Sequence, residues 1–254
     1  SIVSDYFGGQ LLSTVECMTC GHISQTFDPF IDIAVEVPKS RDSHQKQGEN
    51  NSSSFTLSLP ATSTSRRPRR GGGGQPDPPP CGLQDCFEAF SANETLPVSG
   101  DSGYTCEKCK CKRECKKALS IFKCPEILVV QIKRFRYTSL SREKIGTKVS
   151  YPLDCLDLGP YMVSAARSEN AALGYTYQLS GVVHHSGGLS GGHYIAHVNT
   201  SSASSQDSSR TGNKGKWVCF NDSRVTPVTD TRELIDSSAY VLFYKRRPQS
   251  ETAA

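Results

Sequence analysis

Three groups of residues in this chain have types and spacings that could do chemistry. Cys17 and Cys20 form one Cys-x2-Cys pair, and Cys106 and Cys109 form a second. Each pair can bend into a knuckle offering two thiolates, and four thiolates make a closed tetrahedral site suited to a structural zinc ion. Gly21, directly after the first pair, lets the backbone tighten around a metal. Cys111 and Cys115 crowd the second knuckle and could each replace Cys109; the spacing that matches its partner selects Cys109. The third group centres on His193, which emerges from Ser186 to Gly192, a run holding four glycines and two serines. A histidine at a strand mouth beside an accessible segment can serve as a general base, or can simply end a hairpin. A base needs an orienting acceptor on its other ring nitrogen, and the turn Phe220-Asn221-Asp222-Ser223 offers both Asn221 and Asp222.

The elements that must position these residues are mostly strands. Tyr175, Tyr177, Leu179, Gly181 and Val183 alternate with Thr176, Gln178, Ser180 and Val182, which predicts a strand with one buried face. The glycine-serine run after it reads as a mobile loop, and His193 to Val198 as the returning strand. Upstream, a short helix or turn is expected through Tyr6 to Gly8, a strand over Gln10 to Glu16, and a strand pattern from Ile23 to Val37. In that last stretch Ile31, Ile33, Val35 and Val37 share the buried face. Leu83, Cys86, Phe87 and Phe90 fall at i, i+3, i+4 and i+7, the spacing of an amphipathic helix packed on a core. Ala118 to Phe122 and Ile127 to Phe135 read as strands, the apolar ILVVQI as one covered on both faces. Val149 to Leu158 is extended edge or loop because Pro152 lacks a ladder donor. Lys216 to Phe220, Arg224 to Val228 and Ala239 to Tyr244 close the chain as strands.

Composition bounds the rest. Residues 39–80, rich in Ser, Asn, Gln, Arg, Gly and Pro, cannot bury enough apolar area to offset ordering entropy and read as a disordered insertion; residues 199–215 read as a second flexible loop. No apolar run approaches the roughly 20 residues of a membrane helix, so no membrane partner is expected. A net charge of +4 is too slight to argue for nucleic acid, and RRPRR (Arg66 to Arg70) fits a solvated run or a nuclear signal. Lys108, Lys110, Lys112, Lys116 and Lys117 either lower nearby thiolate pKa values or solvate an exposed finger. Eleven cysteines, four of them paired as two knuckles, without secretory features, point to a reducing compartment, cytoplasmic, nuclear or both, and to metal rather than disulfides. The chain opens at Ser1 in sequence that reads as mid-domain, so a fragment is expected.

GGHYIAHV, KWVCFNDSRVTPV and AYVLFY closely resemble the histidine and asparagine boxes of the ubiquitin-specific proteases. FGGQLLSTVECMTCGHIS with GYTCEKC is similar to that family's zinc-bearing fingers, and FKCPEILVVQIKRF to a palm strand. The resemblance implies a β-rich α+β fold: a papain-like palm over 118–198 and 216–247, zinc-ribbon fingers from 1–38 and 95–117, and a tail over 248–254. It makes His193 the general base, Asn221 its orienter, Asp222 an auxiliary, and Gly191, Gly192 and Tyr194 the lining of a channel for the ubiquitin tail. The glycine run would be a loop that moves aside for that tail. The implied partners are ubiquitin and ubiquitinated proteins, and the implied reaction is thiol-dependent hydrolysis at the ubiquitin C-terminus. One departure stands out: no nucleophile box resembling Asn-x-Gly-Asn-x-Cys is present, so the thumb lobe and its cysteine are expected upstream of Ser1. The alternatives are an inactive ubiquitin-binding module, for which an oriented base has no use, and a zinc-ribbon nucleic-acid binder, which leaves His193 and the Asn221 turn unexplained.

Overall fold

Alternating apolar and polar residues dominate the chain, and the strands they form gather into two main sheets. The structure, a computed structural model, describes residues 1–38, 81–100, 102–137, 142–170, 174–188, 190–200 and 217–247. The expected insertion over 39–80, the loop beyond Thr200 and the tail over 248–254 lie outside the described residues.

In chain order the elements are α1 (Ile2–Phe7), β1 (Gly9–Cys17), β2 (Ile23–Phe30), β3 (Ile33–Glu36), β4 (Cys81–Gly82) and α2 (Leu83–Ser91). They continue with β5 (Glu94–Leu96), β6 (Tyr104–Thr105), β7 (Lys112–Arg113), β8 (Cys115–Lys123), β9 (Ile127–Lys133), β10 (Phe135–Tyr137) and β11 (Arg142–Lys144). The last are β12 (Val149–Ser150), β13 (Leu156–Asp157), α3 (Ser164–Asn170), β14 (Thr176–Gly188), β15 (Gly191–Asn199), β16 (Trp217–Asn221), β17 (Arg224–Pro227) and β18 (Ala239–Arg246).

The larger sheet runs β17-β16-β15-β14-β18-β9-β3, with β13 added beside β14; only β3 joins it in parallel, on β9. Its core face buries Leu128, Val130 and Ile132 of β9, Leu242 and Tyr244 of β18, and Ile33 and Val35 of β3. Helix α2 covers this face with Leu83, Cys86 and Phe87, as its spacing predicts, and Phe87 stacks on Tyr161 at 5.1 Å. Each such side chain removed from water contributes on the order of 1.5–3 kcal/mol. The opposite face of β9 is only half covered, contrary to the two-sided burial expected of ILVVQI. There Val129 and Gln131 line an open groove with Val3 and Phe7 of α1.

The smaller sheet, β2-β1-β8-β5, carries the first knuckle at its far end. β1 and β8 pair from Gln10↔Lys123 to Cys17↔Cys115, so β8 runs from Ile121 in the core to the cysteines. The single strand pattern expected from Ile23 to Val37 is two strands in different sheets. β2 pairs with β1 as far as Gly9↔Phe30, the chain bends, and β3 pairs with β9. Ile31 sits at the crossing and is 54% exposed rather than on the buried face.

A second correction concerns Ser186 to Gly192. Ser186 to Gly188 and Gly191 to Gly192 are strand rather than loop: the β14–β15 ladder continues through Ser186↔His193 and Gly187↔Gly192 to Gly188↔Gly191. Gly187 has φ 108°, and a Cβ on Gly192 would lie 2.1 Å from His185 Nε2, so these two glycines are demanded by a tight ladder. β14 is also buried on both faces where it crosses the sheet centre, at Val182, His184 and His185.

Candidate active site and metal centre

The two knuckles bend alike. Gly21 N–H donates to Cys17 O, and Lys110 N–H donates to Cys106 O, each spanning four residues. Both donors adopt left-handed backbone, Gly21 at φ 65° and Lys110 at φ 55°. Lys110 had no signature in the sequence because a non-glycine residue rarely takes that conformation.

Sulfurs of Cys17, Cys20, Cys106 and Cys109 lie within 4.8 Å of one another, with Cys20 and Cys106 at 3.7 Å. A tetrahedron of thiolates bonded to zinc at about 2.3 Å has edges of about 3.8 Å, so the donor set fits that ion. Cys111 is exposed and outside the cluster, while Cys115 is buried beneath it opposite Cys17 and outside the ligand set. Desolvation opposes ionisation of Cys17, but amides of Cys20 and Thr19 and neighbouring thiols donate to its sulfur and bring it down to about 6. Cys109 is pushed up to about 12, first by its hydrogen bond with Cys20 and then by desolvation.

Strand parity assembles the histidine site. Ala196 pairs with Phe220, so one step on Asn221 stands opposite Ile195 and shares a face with Ile195 and His193. Diagonal neighbours on one face come within side-chain reach. His193 Nε2 lies 2.6 Å from Asn221 Oδ1. Oδ1 can only accept, so Nε2 carries the proton and the Nδ1 lone pair is left free to take another. Nδ1 has no hydrogen-bond partner among the described residues, and the His193 side chain is 49% exposed. Asp222 begins the two-residue turn between Asn221 and Arg224 with φ 51°, and its carboxylate lies 3.9 Å from His193 Nε2.

Tyr194 points to the opposite face of β15, where its ring lies 4.6 Å from that of His185. Gly191 and Gly192 form the end of the ladder immediately before His193. The structure thus places His193, Asn221 and Asp222 together, with Gly191, Gly192 and Tyr194 adjoining them along β15.

Sequence reasoning missed the buried polar groups of the hairpin itself. His184 and His197 are buried edge to face at 4.8 Å, and His184 Nδ1 lies 3.0 Å from Ser238 Oγ. Burial first, then His197, pushes His184 down to about 4; burial also lowers His197. His185, under Tyr194 and Phe135, is lowered by burial and by the nearby Lys144 ammonium. The doubled histidine His184-His185 was the available signal, since two adjacent imidazoles on a strand must face opposite ways.

The chain matches the family described as ubiquitin carboxyl-terminal hydrolase over residues 1–244. It is 31% identical to human ubiquitin carboxyl-terminal hydrolase 3 over 96% of this chain and 39% of that protein. With ubiquitin carboxyl-terminal hydrolase 2 of Gallus gallus it shares 34% identity over 96% of this chain and 53% of that protein. Among solved structures, the SAGA Ubp8/Sgf11/Sus1/Sgf73 DUB module bound to ubiquitin aldehyde aligns at a TM-score of 0.65 and 26% identity, over 97% of this chain and 43% of the matched chain. The chain therefore spans from about two fifths to about half the length of these relatives. Because the family match takes in both the cysteine knuckles and the histidine hairpin, the chain belongs to the ubiquitin carboxyl-terminal hydrolase family, in its ubiquitin-specific protease branch.

Proposed function

We propose that this chain is the base-bearing part of a thiol hydrolase that cleaves isopeptide and peptide bonds at the C-terminus of ubiquitin. The observation that carries the reading is the His193 Nε2 to Asn221 Oδ1 hydrogen bond of 2.6 Å, which leaves Nδ1 turned to accept a proton. Nδ1 would deprotonate a thiol, and the thiolate would attack the carbonyl at the ubiquitin terminus to give a tetrahedral oxyanion. The imidazolium would return the proton to the leaving amine, and water would then hydrolyse the acyl-enzyme with His193 again as base. Asn221 holds the ring, and Asp222 at 3.9 Å adds a weaker charge to the imidazolium. Gly191, Gly192 and Tyr194 contribute the wall along which the ubiquitin tail would lie. Zinc on Cys17, Cys20, Cys106 and Cys109 would staple the far ends of β1 and β8 to the second knuckle, a structural role.

The nucleophilic thiol is supplied from outside these 254 residues in this reading. Supporting it, no cysteine among the described residues is hydrogen-bonded to His193, and the chain covers only 39% of the human relative. No helix among the described residues is long and apolar enough to cross a membrane. Two measurements test the proposal. In the full-length protein, His193→Ala abolishes hydrolysis of a ubiquitin C-terminal amide while ubiquitin binding stays within about twofold; unchanged turnover removes His193 from the mechanism. The 254-residue chain by itself leaves a ubiquitin probe with a thiol-reactive terminus unmodified, and labelling of any of its cysteines overturns the external nucleophile.

A further inference from the structure

We infer that Lys144 is a positioning residue that locks the glycine ladder and thereby sets the place of His193. Its Nζ donates to His185 O and to Gly187 O, each at 2.7 Å. These carbonyls flank Ser186, the residue paired with His193, while Gly187 itself pairs with Gly192. One ammonium thus binds β14 on both sides of the position opposite the base. The ladder needs such an outside hold, because Gly187, Gly188, Gly191 and Gly192 bring no side chains to stiffen it.

Lys144 is itself fixed. It pairs with Phe135, and Ile145 N–H donates to Arg134 O at 2.7 Å. Arg134 is wholly buried and makes three hydrogen bonds to backbone carbonyls: Nη1 to Ile145 O at 3.1 Å and Thr147 O at 2.8 Å, and Nε to Ala239 O at 2.6 Å. Ala239 stands opposite His184 on β14. A continuous brace therefore runs from β18 through Arg134 and the segment after β11 to the Lys144 ammonium and the ladder. Among the described residues no carboxylate forms an ion pair with Lys144, so its charge is directed to the two carbonyls. Burial and the Arg134 charge push its pKa below the usual lysine value, consistent with an ammonium drawn into the fold.

The catalytic consequence rests on the proposed role of His193; the structural one does not, and the experiment reads the latter. Amide hydrogen exchange and imidazole nitrogen NMR are measured on the full chain as wild type, Lys144→Met, Lys144→Gln and Lys144→Arg. The expected result is exchange about tenfold faster at 187–188 and 191–194 in the Met and Gln variants, the scale of one lost charge-assisted hydrogen bond. The same variants weaken the His193 Nε2–H signature, Lys144→Arg recovers both readouts, and amides of β9 and β18 stay as in wild type. Unchanged exchange in the ladder, or acceleration spread evenly over the chain, overturns the inference. Either result leaves the ubiquitin hydrolysis reading standing, because no substrate enters this measurement.

Discussion

Asn221 Oδ1 sits 2.6 Å from His193 Nε2 although 27 residues separate the two in sequence, and strand parity alone brings them to one face. The contact is exposed, so its strength depends on rigid strands rather than on desolvation. Replacing Asn221 by Ala removes the acceptor that selects the Nε2–H tautomer. Turnover of a ubiquitin amide by the full-length protein should fall by about 10²–10⁴ in kcat with KM little changed. Asn221→Asp keeps the acceptor and should retain most activity. Asp222→Ala, lacking a hydrogen-bond-length contact, should cost less than about tenfold. Equal losses at positions 221 and 222 would contradict the assignment of Asn221 as the orienter.

The cysteine cluster predicts a stoichiometry. Elemental analysis of the purified chain should find about one zinc per molecule, and Cys20→Ser or Cys106→Ser should lower that content sharply. Cys111→Ser and Cys115→Ser should leave it intact, the first because Cys111 is exposed and apart, the second because Cys115 lies beneath the cluster. Chelation should loosen the far ends of β1 and β8 before it affects β14 or β18. A fully folded, metal-free protein would remove the staple from the account.

What could be read from the sequence was whatever is local. The alternation of Tyr177 and Leu179 with Gln178 and Ser180, the helix spacing of Leu83, Cys86 and Phe87, and the two Cys-x2-Cys pairs each fit within a few residues, and each is found in place. The sheet change at Ile31 was not legible, because its apolar side chain continues the period while the backbone leaves for another partner. The glycine run misled in the opposite direction: freedom from side chains reads as mobility, whereas here it permits a ladder too tight for a Cβ at Gly187 or Gly192. Arg134 and Lys144 were invisible as a brace because their acceptors are backbone carbonyls, which every residue carries.

That ladder distinguishes neighbouring glycines. A methyl group on Gly192 would meet His185 Nε2 at 2.1 Å and Ser186 O at 2.4 Å, whereas one on Gly188 meets nothing within 4 Å. Gly192→Ala should therefore destabilise by about 1–3 kcal/mol, as overpacking does, and should displace His193 and Tyr194. Gly188→Ala should be close to neutral in thermal unfolding. Equal tolerance at both positions would mean that the ladder opens readily in solution.

The buried histidine pair gives the fold a defined acid sensitivity. His184 is held neutral down to about pH 4, while the same imidazole in the unfolded chain titrates near 6.5. As pH falls below 6.5, the unfolded state gains a proton that the folded state refuses, so stability falls, and the loss levels off once the folded state also protonates near 4. For His184 this amounts to on the order of 3 kcal/mol at most, and His197, lowered by burial, adds in the same direction. The groups facing His184 are Ser238, His197, Asp236 and Arg134; Asp236 opposes the effect, while the Arg134 cation and His197, once it takes a proton, reinforce it. Zinc thiolates bring their own acid lability, so the informative quantity is a difference. Urea unfolding of wild type and His184→Gln, compared between pH 7.5 and 4.5 with zinc held in excess, should show a shallower decline for the variant. Parallel declines would mean that His184 is already solvated and takes up its proton in the folded state at ordinary pH.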